Sequence, residues 1–221
     1  MTAQLWSRRT LLGGAAGSAA LLITSCASKQ AKATAAALPP AQPGGARVMI
    51  IRHAEKPSGS TGPQGIDVNG NSDSHSLTVR GWTRAGALVE LFAPATGALR
   101  DGLARPTAVY AAGGNGGEGT RPRETAGPVA ERLGKTVLTT YAKGSESALA
   151  AEVARRTEPT LISWQHEEIP ALAAAFGATT PQKWPDDRFD VVWVLTPAGS
   201  GWALAQVPQL LLAGDSAEPI K

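Results

Sequence analysis

The stretch from Val48 to Pro57 holds the residues best suited to chemistry. Four apolar residues in a row are followed directly by Arg52 and His53. A continuous apolar run indicates a strand buried on both faces of a parallel sheet, and Pro57 ends the strand because proline cannot continue a sheet ladder. Ligands of open α/β sheets bind at the carboxyl ends of the strands. Arg52 and His53 are therefore placed to meet a ligand.

The chemistry of this pair suits phosphoryl transfer. A neutral imidazole is a nucleophile, and a neighbouring guanidinium can hold a phosphoryl group through two hydrogen bonds. The alternative is a surface histidine beside a salt-bridging arginine, and the pair alone does not exclude it.

Two later positions place a second arginine and a second histidine at the ends of predicted elements. Arg121 comes just before a predicted helix, where Pro122 suits the first turn and free backbone amides favour an anion. The apolar strand from Thr160 ends at His166. Two strands of one sheet that both end on a histidine predict a shared site.

The elements that must position these residues alternate between strand and helix from residue 47 to residue 195. This alternation predicts an α/β protein, a three-layer α/β/α sandwich with a mostly parallel central sheet. Strands are predicted at 48–51, 107–112, 137–141, 160–166 and 189–195, with a hairpin return at 202–207. Helices are predicted after the N-cap Thr78 and at 122–133, 146–156 and 167–176. The loop at 58–76 is polar and rich in glycine, and His75 near its end is interpreted as solvated.

These motifs resemble those of the histidine phosphatase, or phosphoglycerate mutase-like, superfamily. Arg-His-Ala-Glu-Lys-Pro at 52–57 is similar to its Arg-His-Gly signature. Leu-Thr-x-x-Gly at 77–81, Arg-x-x-x-Thr-Ala at 121–126 and His166 follow in the superfamily's order. Ala54 departs from the usual glycine, and we expect its methyl group to narrow the pocket. Glycines replace the serine that usually precedes the second arginine.

The resemblance implies a phosphoglycerate mutase-like fold and metal-independent hydrolysis of phosphomonoesters, with no cofactor. His53 would form a phosphohistidine, while Arg52, Arg121 and His166 would hold the phosphoryl oxygens. Arg123 is interpreted as a surface residue.

The proton for the leaving alcohol needs a further group. Glu167 occupies the position of the acid in some phosphatases of the superfamily, and Glu55 is the rival candidate. Glu167 could equally be a favourable acid in the first turn of a helix. Lys56 corresponds in position to a phosphate-binding arginine of the acid phosphatase branch, so we expect it to contact substrate.

Two other functions stay open: a phosphotransferase or mutase, and a non-catalytic lipoprotein that binds a phosphate ligand. The intact set of arginines and histidines favours the hydrolase. The expected partner is a phosphorylated small molecule. Nucleic acid is not expected, because Arg8 and Arg9 in the leader supply two of the 21 basic residues and leave an almost neutral domain with no basic run.

The amino terminus predicts export. Arg8 and Arg9 precede an apolar run from Leu11 to Ile23, as in twin-arginine signals. Cys26 is the only cysteine of the chain and stands where a bacterial lipobox places the lipidated residue. We therefore expect a signal peptide at 1–25, a flexible tether at 26–45 and a catalytic domain at 46–221. Lipid on Cys26 would anchor this domain to the cell membrane or envelope, where it would face outside the cytoplasm. An ordinary signal peptide with an incidental cysteine is the alternative.

Overall fold

A computed structural model describes residues 46–221. The predicted signal peptide, the tether and the lipidation site at Cys26 lie outside the described residues. No helix within residues 46–221 is long and apolar enough to cross a membrane.

Six strands and four helices alternate along the described chain. The strands are β1 Val48–Arg52, β2 Ala108–Ala111, β3 Val137–Leu138, β4 Thr160–Trp164, β5 Val191–Ala198 and β6 Gly201–Pro208. The helices are α1 Val79–Phe92, α2 Thr120–Arg132, α3 Glu146–Val153 and α4 Ile169–Ala175. The strands form one sheet in the order β3-β2-β4-β1-β5-β6. The predicted α/β fold with a mostly parallel sheet is confirmed: β1 to β4 run parallel, while β5 and β6 form the predicted antiparallel hairpin.

The sheet is covered on both faces, as the continuous apolar run of β1 predicts. Val48 and Ile50 pack in one apolar cluster with α3 and α4, whereas Met49 and Ile51 pack in another with α1 and α2. Successive side chains of a strand point to opposite faces, so a strand between two helical layers needs apolar residues at every position.

Three boundaries differ from the prediction near the site. β3 is only two residues long, and α4 begins at Ile169 rather than at residue 167. Pro170 in the first turn of α4 suits the start of a helix, since its missing N–H has no intrahelical partner there. His166 and Glu167 therefore lie in a turn between β4 and α4. α2 begins at Thr120, which places Arg121 inside its first turn.

The start of α1 is tied to the loop that follows β1. The hydroxyl of Thr78 caps the helix by accepting a hydrogen bond from the amide of Gly81, as predicted. The amide of Thr78 donates to the carbonyl of Glu55 at 3.0 Å. The loop that carries His53 is thereby fixed to a covering helix.

Candidate active site

The candidate site lies at the carboxyl ends of the neighbouring parallel strands β1 and β4. Arg52 pairs with Trp164 in the sheet, and the amide of His53 donates to the carbonyl of Trp164 at 3.0 Å. His166 follows two residues after the end of β4. The predicted meeting of two histidines at one edge of the sheet therefore follows from strand order.

The ring of His53 is buried and has a defined tautomer. Its Nδ1 lies 2.8 Å from the carbonyl oxygen of Ala54. Because a carbonyl only accepts, Nδ1 carries the proton and Nε2 keeps its lone pair. Burial lowers the pKa of His53 well below its ordinary value, and the charges of Arg52, Arg121 and Lys56 lower it further. His53 is therefore neutral at neutral pH, the form in which an imidazole is a nucleophile.

A cavity of about 170 Å³ gathers most of the predicted residues. It is lined by the predicted His53, Lys56, Arg121, His166 and Glu167, and by Glu118, Pro122, Lys143 and Gln165, which the sequence analysis did not select. Three cationic side chains and two histidines around one small cavity suit an anionic ligand. Within residues 46–221 no cluster of three His, Cys, Asp or Glu side chains could hold a metal ion.

The choice of Arg121 over Arg123 agrees with where the two side chains lie. Arg121 is half-buried and lines the cavity, whereas Arg123 is exposed. The Nε of Arg121 donates to the backbone carbonyl of His75 at 3.1 Å, which orients the guanidinium. The imidazole of His75 is half exposed, as its interpretation as a solvated residue predicts.

Arg52 is placed differently from the expectation. It is buried at 1% exposure and does not line the cavity. Its Nη1 lies 3.2, 2.7 and 3.1 Å from the carbonyl oxygens of Pro185, Asp186 and Arg188, and its guanidinium carbon lies 3.8 Å from the ring centre of Phe189. Burial lowers its pKa to about 10, so it stays charged at neutral pH. The side chain lies beneath the site because the segment before β5 folds over it.

Two nitrogens of Arg52 lack a partner among the described residues. Nε and Nη2 are both buried and donate to nothing within residues 46–221. An unsatisfied buried donor costs about 1–3 kcal/mol, and more when it is charged. Arg52 therefore carries buried, unsatisfied donors that do not line the cavity.

His166 is held by a carboxylate. Its Nε2 lies 2.8 Å from Oδ1 of Asp186, and its Nδ1 is buried without a partner in residues 46–221. Burial and the charge of Arg52 lower the pKa of His166, and Asp186 opposes them. In the neutral ring the carboxylate must accept from Nε2, because an ionised carboxylate cannot donate.

The two candidate proton donors have different surroundings. Glu167 is about half exposed and accepts a 2.9 Å bond from Nζ of Lys143, which lowers its pKa. Both carboxylate oxygens of Glu55 accept from Arg84, and Oε1 also accepts from Arg80. Glu55 is thus held as a structural carboxylate, and only Glu167 lines the small cavity.

The expectation that Ala54 narrows the pocket is wrong. Its side chain is fully buried in a small apolar cluster with Leu77 and Ala85. The methyl group therefore adds packing between the β1 loop and α1.

A larger cavity of about 530 Å³ adjoins the first, and Lys56 lines both. Asp186, Asp187 and Phe189 belong to its wall. Trp184 does not line it: the indole is 1% exposed, packs on Trp193 and donates to the carbonyl of Arg188. Trp184 therefore closes the turn before β5, and Asp186, Asp187 and Phe189 of that turn line the cavity.

Sequence reasoning missed several residues that complete the site. Lys143 and Gln165 belong to no motif that the sequence analysis recognised. Thr125 stood within the Arg-x-x-x-Thr-Ala motif, and its fixed spacing from Arg121 was a usable signal. Asp186 comes two residues after Trp184, but nothing in the sequence pairs it with His166.

No protein-family model and no curated protein sequence matches the chain. Among solved structures it is similar to the native structure of a mycobacterial glucosyl-3-phosphoglycerate phosphatase, with 16% identity and a TM-score of 0.45 over 72% of this chain and 96% of that one. A mycobacterial hydrolase gives 16% identity and a TM-score of 0.46 over 72% and 95%. The same phosphatase with inorganic phosphate gives 14% and 0.42 over 72% and 94%. Likeness at this level carries no argument about chemistry.

Proposed function

We propose that this protein is a phosphomonoester hydrolase that forms a phosphohistidine on His53 and needs no metal ion. One observation carries the proposal. The bond from Nδ1 of His53 to the carbonyl of Ala54 leaves Nε2 as an unprotonated nitrogen, and this ring lines a small cavity with Arg121, His166 and Lys56. A nucleophile surrounded by cations suits attack on a phosphoryl group.

In the first step Nε2 of His53 attacks phosphorus while the bond from phosphorus to the leaving oxygen breaks. Arg121 and Lys56 stabilise the charge on the equatorial oxygens, and Arg52 adds positive charge from beneath. Water then attacks phosphorus as the bond from phosphorus to Nε2 breaks, and it gives one proton to the carboxylate that protonated the leaving alcohol. This step releases inorganic phosphate and restores both neutral His53 and the acid.

Glu167 is the proposed donor of the proton that the leaving alcohol needs. Its ion pair with Lys143 keeps it ionised in the empty site. A bound phosphate dianion would compete for Lys143 and repel the carboxylate, and both effects raise the pKa of Glu167. Substrate binding would thus create the acid that the reaction uses.

The two cavities suggest a division of the substrate. The cavity of about 170 Å³ with its cationic wall suits the phosphoryl group, and the adjoining cavity of about 530 Å³ offers room for the leaving group. A phosphorylated small molecule fits this arrangement.

The test is hydrolysis of a panel of phosphomonoesters by the wild type, His53→Ala and His75→Ala, each with and without a chelator. We expect turnover that survives the chelator, falls by at least about a thousandfold in His53→Ala because the nucleophile is lost, and stays unchanged in His75→Ala. Acid-labile radioactive phosphate trapped on the wild type alone would identify the intermediate. Wild-type protein that binds phosphate and turns over no ester would contradict the hydrolase and favour the binding lipoprotein. Transfer of phosphate to a second substrate would favour a mutase.

We also propose that the domain is exported and anchored through lipid on Cys26. Support comes from Arg8 and Arg9 before the apolar run and from the position of Cys26 after it. The test is incorporation of labelled palmitate in cells. Label in the wild type that disappears in Cys26→Ser is expected, and equal label in both proteins would overturn the anchor.

A further inference from the structure

The segment Trp184–Phe189, just before β5, forms a fixed turn over the site. Its first residue is anchored by packing on Trp193, with ring centres 5.1 Å apart. The indole N–H of Trp184 donates to the carbonyl of Arg188 at 2.8 Å and closes the turn. The buried aromatic pair and this hydrogen bond anchor the turn at Trp184.

Asp186 in this turn bonds to Arg52, the last residue of β1, and to His166, which follows the end of β4 by two residues. Its carbonyl oxygen lies 2.7 Å from Nη1 of Arg52, and its carboxylate lies 2.8 Å from Nε2 of His166. The carbonyls of Pro185 and Arg188 also accept from Arg52. These contacts occupy Nη1 of Arg52 and Nε2 of His166. Nε and Nη2 of Arg52 and Nδ1 of His166 have no hydrogen-bond partner among residues 46–221.

We propose that Asp186 is a positioning residue that fixes the orientation and tautomer of His166 for phosphate binding, an inference that rests on the proposed function. The carboxylate can only accept, so it holds the proton of the neutral ring on Nε2. When His166 takes up a second proton, that proton goes to Nδ1 and can bond a phosphoryl oxygen. Asp186 then stabilises the imidazolium, as carboxylates do behind other functional histidines.

Position and charge predict opposite effects of removing this carboxylate. The charged groups around His166 comprise the cations Arg52, Lys56, Arg121 and Lys143 and the anions Glu118, Glu167 and Asp186. A negative charge near an anion site weakens anion binding by simple repulsion. Loss of Asp186 would therefore strengthen phosphate binding if the residue acted through charge alone, and would weaken it if the residue positions His166.

Asp187 is the matched control, because it is the adjacent carboxylate, it is exposed, and it lines the larger cavity with Asp186. Asp186→Ala and Asp187→Ala in the full chain are compared for binding of inorganic phosphate and orthovanadate by calorimetry. We expect Asp187→Ala to bind phosphate as well as the wild type or slightly better. Asp186→Ala should bind at least about tenfold more weakly, the scale of one charged hydrogen bond.

Nitrogen NMR of the imidazoles supplies a second readout that needs no turnover, and the chain has only three histidines. The wild type and Asp187→Ala should show His166 protonated on Nε2, and Asp186→Ala should show a mixture of tautomers with a lower pKa for His166. Asp186→Asn should restore part of the binding, since an amide oxygen can still accept from Nε2.

Equal strengthening of phosphate binding by both alanine substitutions would overturn the inference, and so would an unchanged tautomer in Asp186→Ala. The Asp186→Ala variant could show the expected changes in phosphate binding and in the His166 tautomer while the wild type hydrolyses no ester. That result would overturn the proposed hydrolase function and leave the role of Asp186 in phosphate binding intact. The two proposals therefore fail in different ways.

Discussion

The amide of Ala54 donates a 2.8 Å hydrogen bond to the hydroxyl of Thr125, which in turn donates to the carbonyl of Arg121 at 2.8 Å. Ala54 also supplies the carbonyl that fixes His53. The completely buried hydroxyl of Thr125 thus connects the loop that carries His53 to helix α2, which carries Arg121.

Replacing Thr125 tests this connection. Thr125→Val keeps the shape of the side chain but leaves the buried amide of Ala54 without an acceptor, which costs about 1–3 kcal/mol. We expect that loss in the free energy of unfolding measured with denaturant, together with a lower kcat. Thr125→Ser keeps the hydroxyl and should recover most of the activity. A valine variant as active as the wild type would show that the connection does not position the site.

Arg121 should contribute to the binding of the phosphoryl group. Lysine keeps the charge but loses the planar pair of donors. Because a hydrogen bond to a charged group contributes about 1.5–3 kcal/mol, we expect Arg121→Lys to lower kcat/KM roughly 10- to 100-fold. The control is Arg123→Lys, two residues along the same helix and exposed, which should leave steady-state kinetics unchanged. Equal losses in both variants would contradict the placement of Arg121 at the phosphate.

The role of Glu167 can be tested with leaving groups of different basicity. An alkyl phosphate needs a proton on its leaving oxygen, whereas 4-nitrophenyl phosphate releases a stable phenolate and needs little help. Glu167→Gln should slow the alkyl ester about 10²- to 10⁴-fold, the usual contribution of general acid catalysis, and barely affect the nitrophenyl ester.

The control for Glu167 is Glu168→Gln. Glu168 also contacts Lys143, at 3.4 Å, but does not line the cavity. It should leave both rates unchanged. Equal slowing of both esters by Glu167→Gln would indicate a binding role and would remove Glu167 as the acid.

Arg84 should matter for stability. Its guanidinium is buried between Glu55 and Asp215, at 2.9 and 2.8 Å. Removing one partner of a buried ion pair costs about 3–5 kcal/mol, so Arg84→Ala should lower the free energy of unfolding by that amount. Arg80→Ala removes a half-exposed partner of the same Glu55 and should cost about 0–1 kcal/mol.

The Arg84 network also has a pH signature. Burial of Asp215 raises its pKa, but the bonds from Arg84 and from backbone amides outweigh burial and lower the pKa to about 2, against 3.8 when unfolded. A depressed pKa contributes stability above pH 3.8 that is lost as the pH falls towards 2. Acid unfolding of the wild type should be steepest in this range. An Arg84→Ala variant with the same acid profile would contradict the assignment.

Local pattern was enough to predict the framework. The apolar run before Arg52 predicts a strand covered on both faces, and the alternation of strand and helix predicts the parallel part of the sheet. His53 and His166 follow β1 and β4, which the sheet places side by side. Each of these predictions depends on periodicity or on a rule about neighbouring strands.

Contacts between segments far apart in sequence could not be predicted in this way. Arg52 was expected to meet the ligand directly, yet backbone carbonyls from 185 to 188, more than 130 residues later, hold its Nη1. Every residue type has a backbone carbonyl, so the sequence does not show which carbonyls accept these hydrogen bonds. The pairing of Glu55 with Arg84, which turns a candidate acid into a structural carboxylate, depends on the packing of α1 against the β1 loop.

By itself the sequence determined the place of His53, the proposed nucleophile, at the end of a strand and the order of the elements. These follow from residue type and from the periods of strand and helix. Only the tertiary structure decided which nitrogen of each histidine is left for a ligand. That choice depends on the acceptor opposite the ring, the carbonyl of Ala54 for His53 and the carboxylate of Asp186 for His166. The second of these acceptors lies 20 residues away and reaches its histidine only when the chain folds.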